Sequence, residues 1–274
     1  MKRLILTGSL LAIVCVTAFA QDDEGIPFRR MDYYCWEAFA QVVPAKVDTV
    51  LLAVGTQEAH GAIANGTDAL IPERLAEMIA PGANALIAPT IPYGFTDSLA
   101  AYPGGFKVDE KVFKAYCKEV VAGLADCGFR NIIILNGHGG NRAALNAVAA
   151  EISPEKKVRI LVVDWWSYCA DLTQEIWGPD EDGGHAGLNE NAAVHAVDPR
   201  FVDKRFYRES LAVPINSAIT AYPNPGSILL YREGKGYPDF DREKAVRYLD
   251  RVAEELTKLI VDTRTLWDET GLYR

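Results

Sequence analysis

The strongest constraint in this chain is a local order that recurs. An apolar run of strand length is followed by a glycine-rich polar segment, and then by a stretch with helical spacing. Thr49–Val54 (TVLLAV) runs into Gly55-Thr56-Gln57-Glu58-Ala59-His60-Gly61, and residues 131–135 (NIIIL) run into Asn136-Gly137-His138-Gly139-Gly140-Asn141. Residues 158–163 (VRILVV) form a third run, and residues 85–91 a shorter one broken at Pro89. Runs that are apolar throughout, without alternation, are buried on both faces, which is the habit of parallel sheets. Between them, residues 68–79, 109–125 (stopped by Gly128), 143–152 (ending ahead of Pro154) and 241–264 carry helical periodicity, the last with Val246, Leu249, Val252, Leu256 and Ile260 on one face. Strands alternating with helices predict an α/β domain whose helices cover a mainly parallel sheet. Residues 171–240 read as loop-rich. No repeat and no linker divides residues 21–274, which are expected to form a single domain.

Residues 1–20 read differently. Lys2 and Arg3 precede an apolar stretch that closes on Ala18-Phe19-Ala20, and acidic residues follow at once. This is the pattern of a secretory signal peptide cleaved between Ala20 and Gln21. A protein so marked is periplasmic in a Gram-negative cell and otherwise secreted, with no membrane attachment after cleavage. The remaining Cys35, Cys117, Cys127 and Cys169 form no C-x-x-C pair. They read as buried thiols, although an oxidising compartment allows one bridge among them. The formal charge of −9 argues against non-specific attraction to phosphate backbones, so nucleic acid is not an expected partner.

Ligands of open α/β sheets sit beyond the carboxyl ends of the strands, and there the chain places its chemistry. Three of its four histidines, His60, His138 and His185, lie in glycine-rich segments; the fourth, His195, lies in a helical stretch after Glu190. Glu58-x-His60 in extended backbone turns a carboxylate and an imidazole to one side, the donor mix suited to a borderline divalent ion. Asp68 returns after a short loop with two oxygens to offer. Glycines beside each histidine leave room for water and substrate. A pair of ions there activates a water and polarises a carbonyl.

These segments (VGTQEAHG, NGTD, NGHGGN and HAGLNE, in this order) resemble the creatininase (creatinine amidohydrolase) family, as do Pro92-Tyr93-Gly94 and Tyr102-Pro103-Gly104. The resemblance extends over about residues 30–262. It implies a three-layer α/β sandwich, hydrolysis of C–N bonds in small amides including cyclic ones, two divalent metal ions per chain (Zn, Mn or Fe), and a homo-oligomer, commonly a hexamer. It matches Glu58, His60, Asp68 and His138 to metal-ligand positions, with Asp68 bridging, and Glu190 to a further ligand. His185 matches the catalytic histidine that shuttles a proton, a role suited to an imidazole titrating near pH 6.5.

The chain also departs from the family pattern. The loop from His60 to Asp68 is one residue shorter than usual and lacks a second histidine. Gly105 ends a PGG segment where PGT is usual, Glu190-Asn191-Ala192 replaces ETS, and Gly140 stands where creatininase itself has a carboxylate. Glu190 is expected to supply that missing carboxylate. Tyr93, Gly139, Trp165 and Trp177 are candidate substrate contacts; Trp166, beside Trp165, is a second candidate for the pocket wall. Asp164 reads as either a partner of a ligand residue or a turn residue. The leading reading is thus a metal-dependent amidohydrolase acting on a small-molecule amide. The rival is an exported small-molecule-binding relative without turnover. Phosphoester hydrolysis ranks lower, because no basic cluster accompanies the motifs.

Overall fold

In the computed structural model, residues 26–216 and 218–273 are described; the signal-peptide reading and its cleavage site lie outside them. The chain order is α1 (Trp36–Val42), β1 (Thr49–Val54), α2 (Thr67–Ile79), β2 (Leu86–Ile87), α3 (Glu110–Asp126), β3 (Asn131–Asn136), α4 (Arg142–Lys156), β4 (Arg159–Asp164), α5 (Trp165–Tyr168), α6 (Asp171–Trp177), β5 (Gly184–His185), α7 (Leu188–Val197), β6 (Ala212–Pro214), β7 (Ile228–Leu230) and α8 (Arg242–Thr270). The main sheet has the order β2-β1-β3-β4, and every pairing in it is parallel.

The two faces of this sheet explain why the interiors of its strands are apolar without alternation. Leu51, Ile133, Leu135 and Val163 pack with α2, α6, α7 and α8 on one side. Val50, Leu52, Val54, Ile132 and Ile134 pack with α1, α3 and α4 on the other. Period-two alternation therefore feeds two cores, and the result is the expected three-layer sandwich. Parallel register sets Val54 opposite Asn136, and Asn136 opposite Asp164. The three long strands thus end level, and the segments after them share one edge. A small mixed sheet, β5-β7-β6, covers that edge and carries His185.

Some local expectations are corrected. The run 85–91 pairs only at Leu86–Ile87, because Pro89 interrupts it. Helix α4 continues to Lys156 through Pro154; the proline forfeits only the bond to the Ala150 carbonyl, and Lys157 in left-handed conformation (φ 54°) ends the helix. Within 171–240, α6 and α7 are regular helices. Val246 lies at the rim of the α8 stripe, 38% exposed, while Leu249, Val252, Leu256 and Ile260 are buried. Cys35, Cys117, Cys127 and Cys169 are free thiols, of which Cys35 and Cys127 are exposed. No helix among the described residues is long and apolar enough to cross a membrane.

Candidate metal centre

Helix α2 brings Asp68 to the strand ends by a close approach. Gly55 after β1 and Gly137 after β3 both abut the Asp68 carbonyl, and a Cβ at either position would overlap it. Pro72, one turn on, has no N–H to give that carbonyl. Asp68 in the first turn of α2 and Glu190 in the first turn of α7 sit where helix dipoles favour negative charge. Glu58 and His60 lie on the loop after β1, which closes through Glu58 N–H donating to the Asn65 carbonyl (3.1 Å) and a turn at Gly61 (φ 53°).

All six residues converge. Asp68 Oδ1 is 2.9 Å from His60 Nε2, and Asp68 Oδ2 is 2.9 Å from His138 Nδ1. Glu58 Oε1 lies 3.2 Å from His138 Nδ1 and 3.4 Å from His185 Nδ1. Glu190 Oε2 lies 3.5 Å from His60 Nε2 and accepts the Ala186 N–H at 2.6 Å. Three groupings place one ligand atom per residue within reach of a common ion: Glu58, Asp68 and His138; His60, Asp68 and Glu190; and Glu58, His60 and His185.

Each imidazole spends its other nitrogen on a backbone carbonyl. His60 Nδ1 faces the Glu58 carbonyl (3.0 Å), His138 Nε2 that of Phe95 (2.9 Å), and His185 Nε2 that of Ala59 (2.7 Å). A carbonyl only accepts, so these nitrogens carry the protons and the carboxylate-facing ones are bare in the neutral ring. Bare nitrogens then confront carboxylate oxygens, and buried His60 Nε2 and Asp68 Oδ2 are left without hydrogen-bond partners. Either a proton or a cation resolves that confrontation. With protons alone, burial would depress the His60 pKa, but Asp68, Glu190 and Glu58 outweigh it and lift it to about 10. His138 is likewise held well above its ordinary value, against burial, by Glu58 and Asp68. Burial pushes the Glu190 carboxyl up to about 8, against the pull of His60. Burial and the neighbouring His60 push His185 down to about 4. Donors arranged this way fit divalent ions, whose binding displaces such protons.

The centre opens into a cavity of about 260 Å³ walled by Phe95, Leu99, Trp166, Leu229 and Tyr231, with Gly139 on its floor. Three expected substrate contacts lie elsewhere. Trp165 is buried in the core, 1% exposed, because β4 gives way to α5 at that residue and the next side chain, Trp166, takes the cavity side. Tyr93 stands half-exposed against Phe106, away from the centre. Trp177 packs on Tyr248 and donates to Asp239 (2.9 Å), which fixes it in the contact of α6 with α8 and not at the cavity. Sequence reasoning missed Phe95, Leu99, Leu229 and Tyr231; Phe95 alone had a signal, its place directly after Pro92-Tyr93-Gly94.

The fold and this geometry define a class: an αβα sandwich with a histidine–carboxylate centre built at the ends of parallel strands. The chain belongs to the creatininase (creatinine amidohydrolase) family, whose model matches residues 32–260. It is 36% identical over 166 residues to 3-dehydro-scyllo-inosose hydrolase of Thermotoga maritima, covering 58% of this chain and 53% of that one, about half its length. It is 23% identical over 186 residues to creatinine amidohydrolase of Pseudomonas putida, covering 61% and 71% respectively. Its fold is similar to a manganese form of creatininase, with a TM-score of 0.74 at 20% identity over 86% of this chain and 98% of that one.

Proposed function

We propose that the protein is a divalent-metal-dependent amidohydrolase that cleaves a C–N bond of a small amide, with two ions per chain. Glu58, Asp68 and His138 would hold one ion, and His60, Asp68 and Glu190 the other. The observation that carries this reading is Asp68: its two oxygens face two different imidazole nitrogens, each 2.9 Å away and each bare in the neutral ring, whose other nitrogen donates to a carbonyl. Zinc, manganese and iron all suit this mixed nitrogen and oxygen set. Such ions supply Lewis acidity and lower the pKa of water.

The chain's own residues do the rest. The neutral His185 ring, kept so by burial, offers Nδ1 toward the centre while Ala59 holds its Nε2–H. It would take a proton at Nδ1 from the water that attacks the amide carbon and give it to the nitrogen that leaves as the C–N bond breaks. Trp166 and Leu229 shape an apolar wall that keeps bulk water off the substrate. The same Nδ1 also belongs to a ligand-capable grouping with Glu58 and His60, which favours a second reading of His185 as a ligand; metal content of His185→Ala separates the two. The leader pattern supports export to the periplasm or the medium, and the family resemblance supports a homo-oligomer.

The test is to load the purified protein with zinc or manganese, count bound ions, and screen small cyclic amides, lactams and formamides. Two ions per chain with turnover of any of these supports the proposal. Ions without turnover across the panel favour the non-catalytic binder, and failure to retain ions overturns the metal assignment.

A further inference from the structure

We propose that Asp164 is a positioning residue that ties the ion-facing histidine His138 to the aromatic wall at Trp166; the idea rests on the reading of His138 as an ion ligand. Asp164 closes β4 directly opposite Asn136, the last residue of β3. One carboxylate oxygen accepts from Asn136 Nδ2 at 2.6 Å. The same Asn136 side chain clamps the His138 backbone at both ends, giving Nδ2–H to the His138 carbonyl (2.8 Å) and taking the His138 N–H on Oδ1 (3.2 Å). The other oxygen of Asp164 holds Arg142 Nε in a short ion pair. The Arg142 guanidinium in turn lies over the Trp166 ring, 5.9 Å from its centroid, and Trp166 faces the cavity. One carboxylate therefore fixes two arms, one ending on a candidate ligand and the other on the surface a substrate meets.

The arms are separable by substitution. Asparagine at 164 keeps an oxygen for Asn136 but turns an amide NH2, a donor, toward the Arg142 donor, so only the wall arm is released. Alanine releases both. Cobalt(II) is the probe for the first arm, read by its visible absorption on titration. Acrylamide quenching of Trp166, taken as the difference from Trp166→Phe, is the probe for the second. Asp164→Ala is expected to weaken cobalt binding by about 10–100-fold, the usual cost of losing a ligand's supporting partner. Asp164→Asn and Arg142→Met should hold cobalt within about threefold of the parent while Trp166 becomes more quenchable. Cobalt affinity unchanged in Asp164→Ala, or quenching unchanged in the other two, overturns the proposal. If Asp164→Ala does not fold by circular dichroism, Asp164→Leu, which fills the same space with no oxygen for either arm, takes its place in the cobalt titration with the same two outcomes. His138→Ala serves as the reference: if it keeps full cobalt affinity, the ligand reading itself has failed; if it loses cobalt while Asp164→Ala does not, only the positioning role falls.

Discussion

Gly139 and Gly140 are neighbours in one turn, yet alanine should act on them in opposite ways. A Cβ on Gly140 would fall 2.5 Å from the Phe95 carbonyl oxygen and 2.6 Å from His138 Nε2. Those two atoms make the 2.9 Å hydrogen bond that fixes the His138 ring. An ordinary contact needs about 3.5 Å, so both partners must move apart by about 1 Å and the bond is lost. The loss costs about 1 kcal/mol, and forcing a methyl into a filled space adds about 1–3 kcal/mol, for a total of about 2–4 kcal/mol. With its ring no longer held, His138 should bind metal about 10–100-fold more weakly. On Gly139 the nearest atom to an added Cβ is Trp166 Cζ2 at 4.0 Å, an unforced contact; stability should stay within about 0.5 kcal/mol. Urea denaturation of the apoproteins and cobalt titration of the folded ones give both numbers. A Gly140→Ala protein as stable as the parent, or a Gly139→Ala protein damaged as badly as Gly140→Ala, would refute this account of why the site has a glycine there.

His185→Ala should lower turnover by about 10²–10⁴ and leave metal content intact; loss of an ion by plasma emission spectrometry would make His185 a ligand. Glu190→Gln should drop content from two ions toward one, and retention of both at unchanged affinity would remove Glu190 from the ligand set. Metal uptake should release protons near pH 7, because the ion-free His60 holds its proton up to about 10; calorimetry in buffers of different ionisation enthalpy reads this, and affinity that does not rise with pH contradicts it. By the same linkage, the raised His60 pKa stabilises the ion-free fold fully below the unfolded value of about 6.5, and that stability fades as pH climbs through 10. Among the cysteines of the described residues, a thiol reagent should label Cys35 and Cys127 in the native protein and spare Cys117 and Cys169, which are buried with thiols pushed up to about 12; labelling of Cys117 and Cys169 without denaturant, read by peptide mass mapping, would contradict the packing.

The strands and the centre were readable because both are local. TVLLAV and NIIIL are apolar without alternation after their first residue, which suits a sheet covered on both faces, and each runs into the glycine-flanked residues that form the site. The expectation that Asp68 bridges came from its two oxygens and a family motif; the structure sets each oxygen against a different histidine. What escaped was orientation. Trp165 and Trp166 were both candidates for the pocket wall; the strand stops at Asp164, and a helical turn decides that Trp166 meets the cavity while Trp165 packs in the core. Tyr93 and Trp177 have partners, Phe106 and Asp239, that lie 13 and 62 positions onward in the chain, and no periodicity encodes such contacts. Pro154 was read as a stop, yet near a helix end a proline forfeits a single bond and the turn carries on.

The three carbonyls that hold the imidazoles belong to Glu58, Ala59 and Phe95, and a main-chain oxygen cannot be substituted away. The side chains of Ala59 and Phe95 can therefore change without removing the carbonyls that orient the rings, provided the backbone path survives, whereas Glu58 is tied to the centre by its carboxylate as well. A designer moving this centre into another scaffold faces the converse: copying six side chains onto foreign loops would leave the rings free to spin. The transferable unit is a set of peptide planes, the stretch through 58–60 and the approach of residue 95, with the side chains added last.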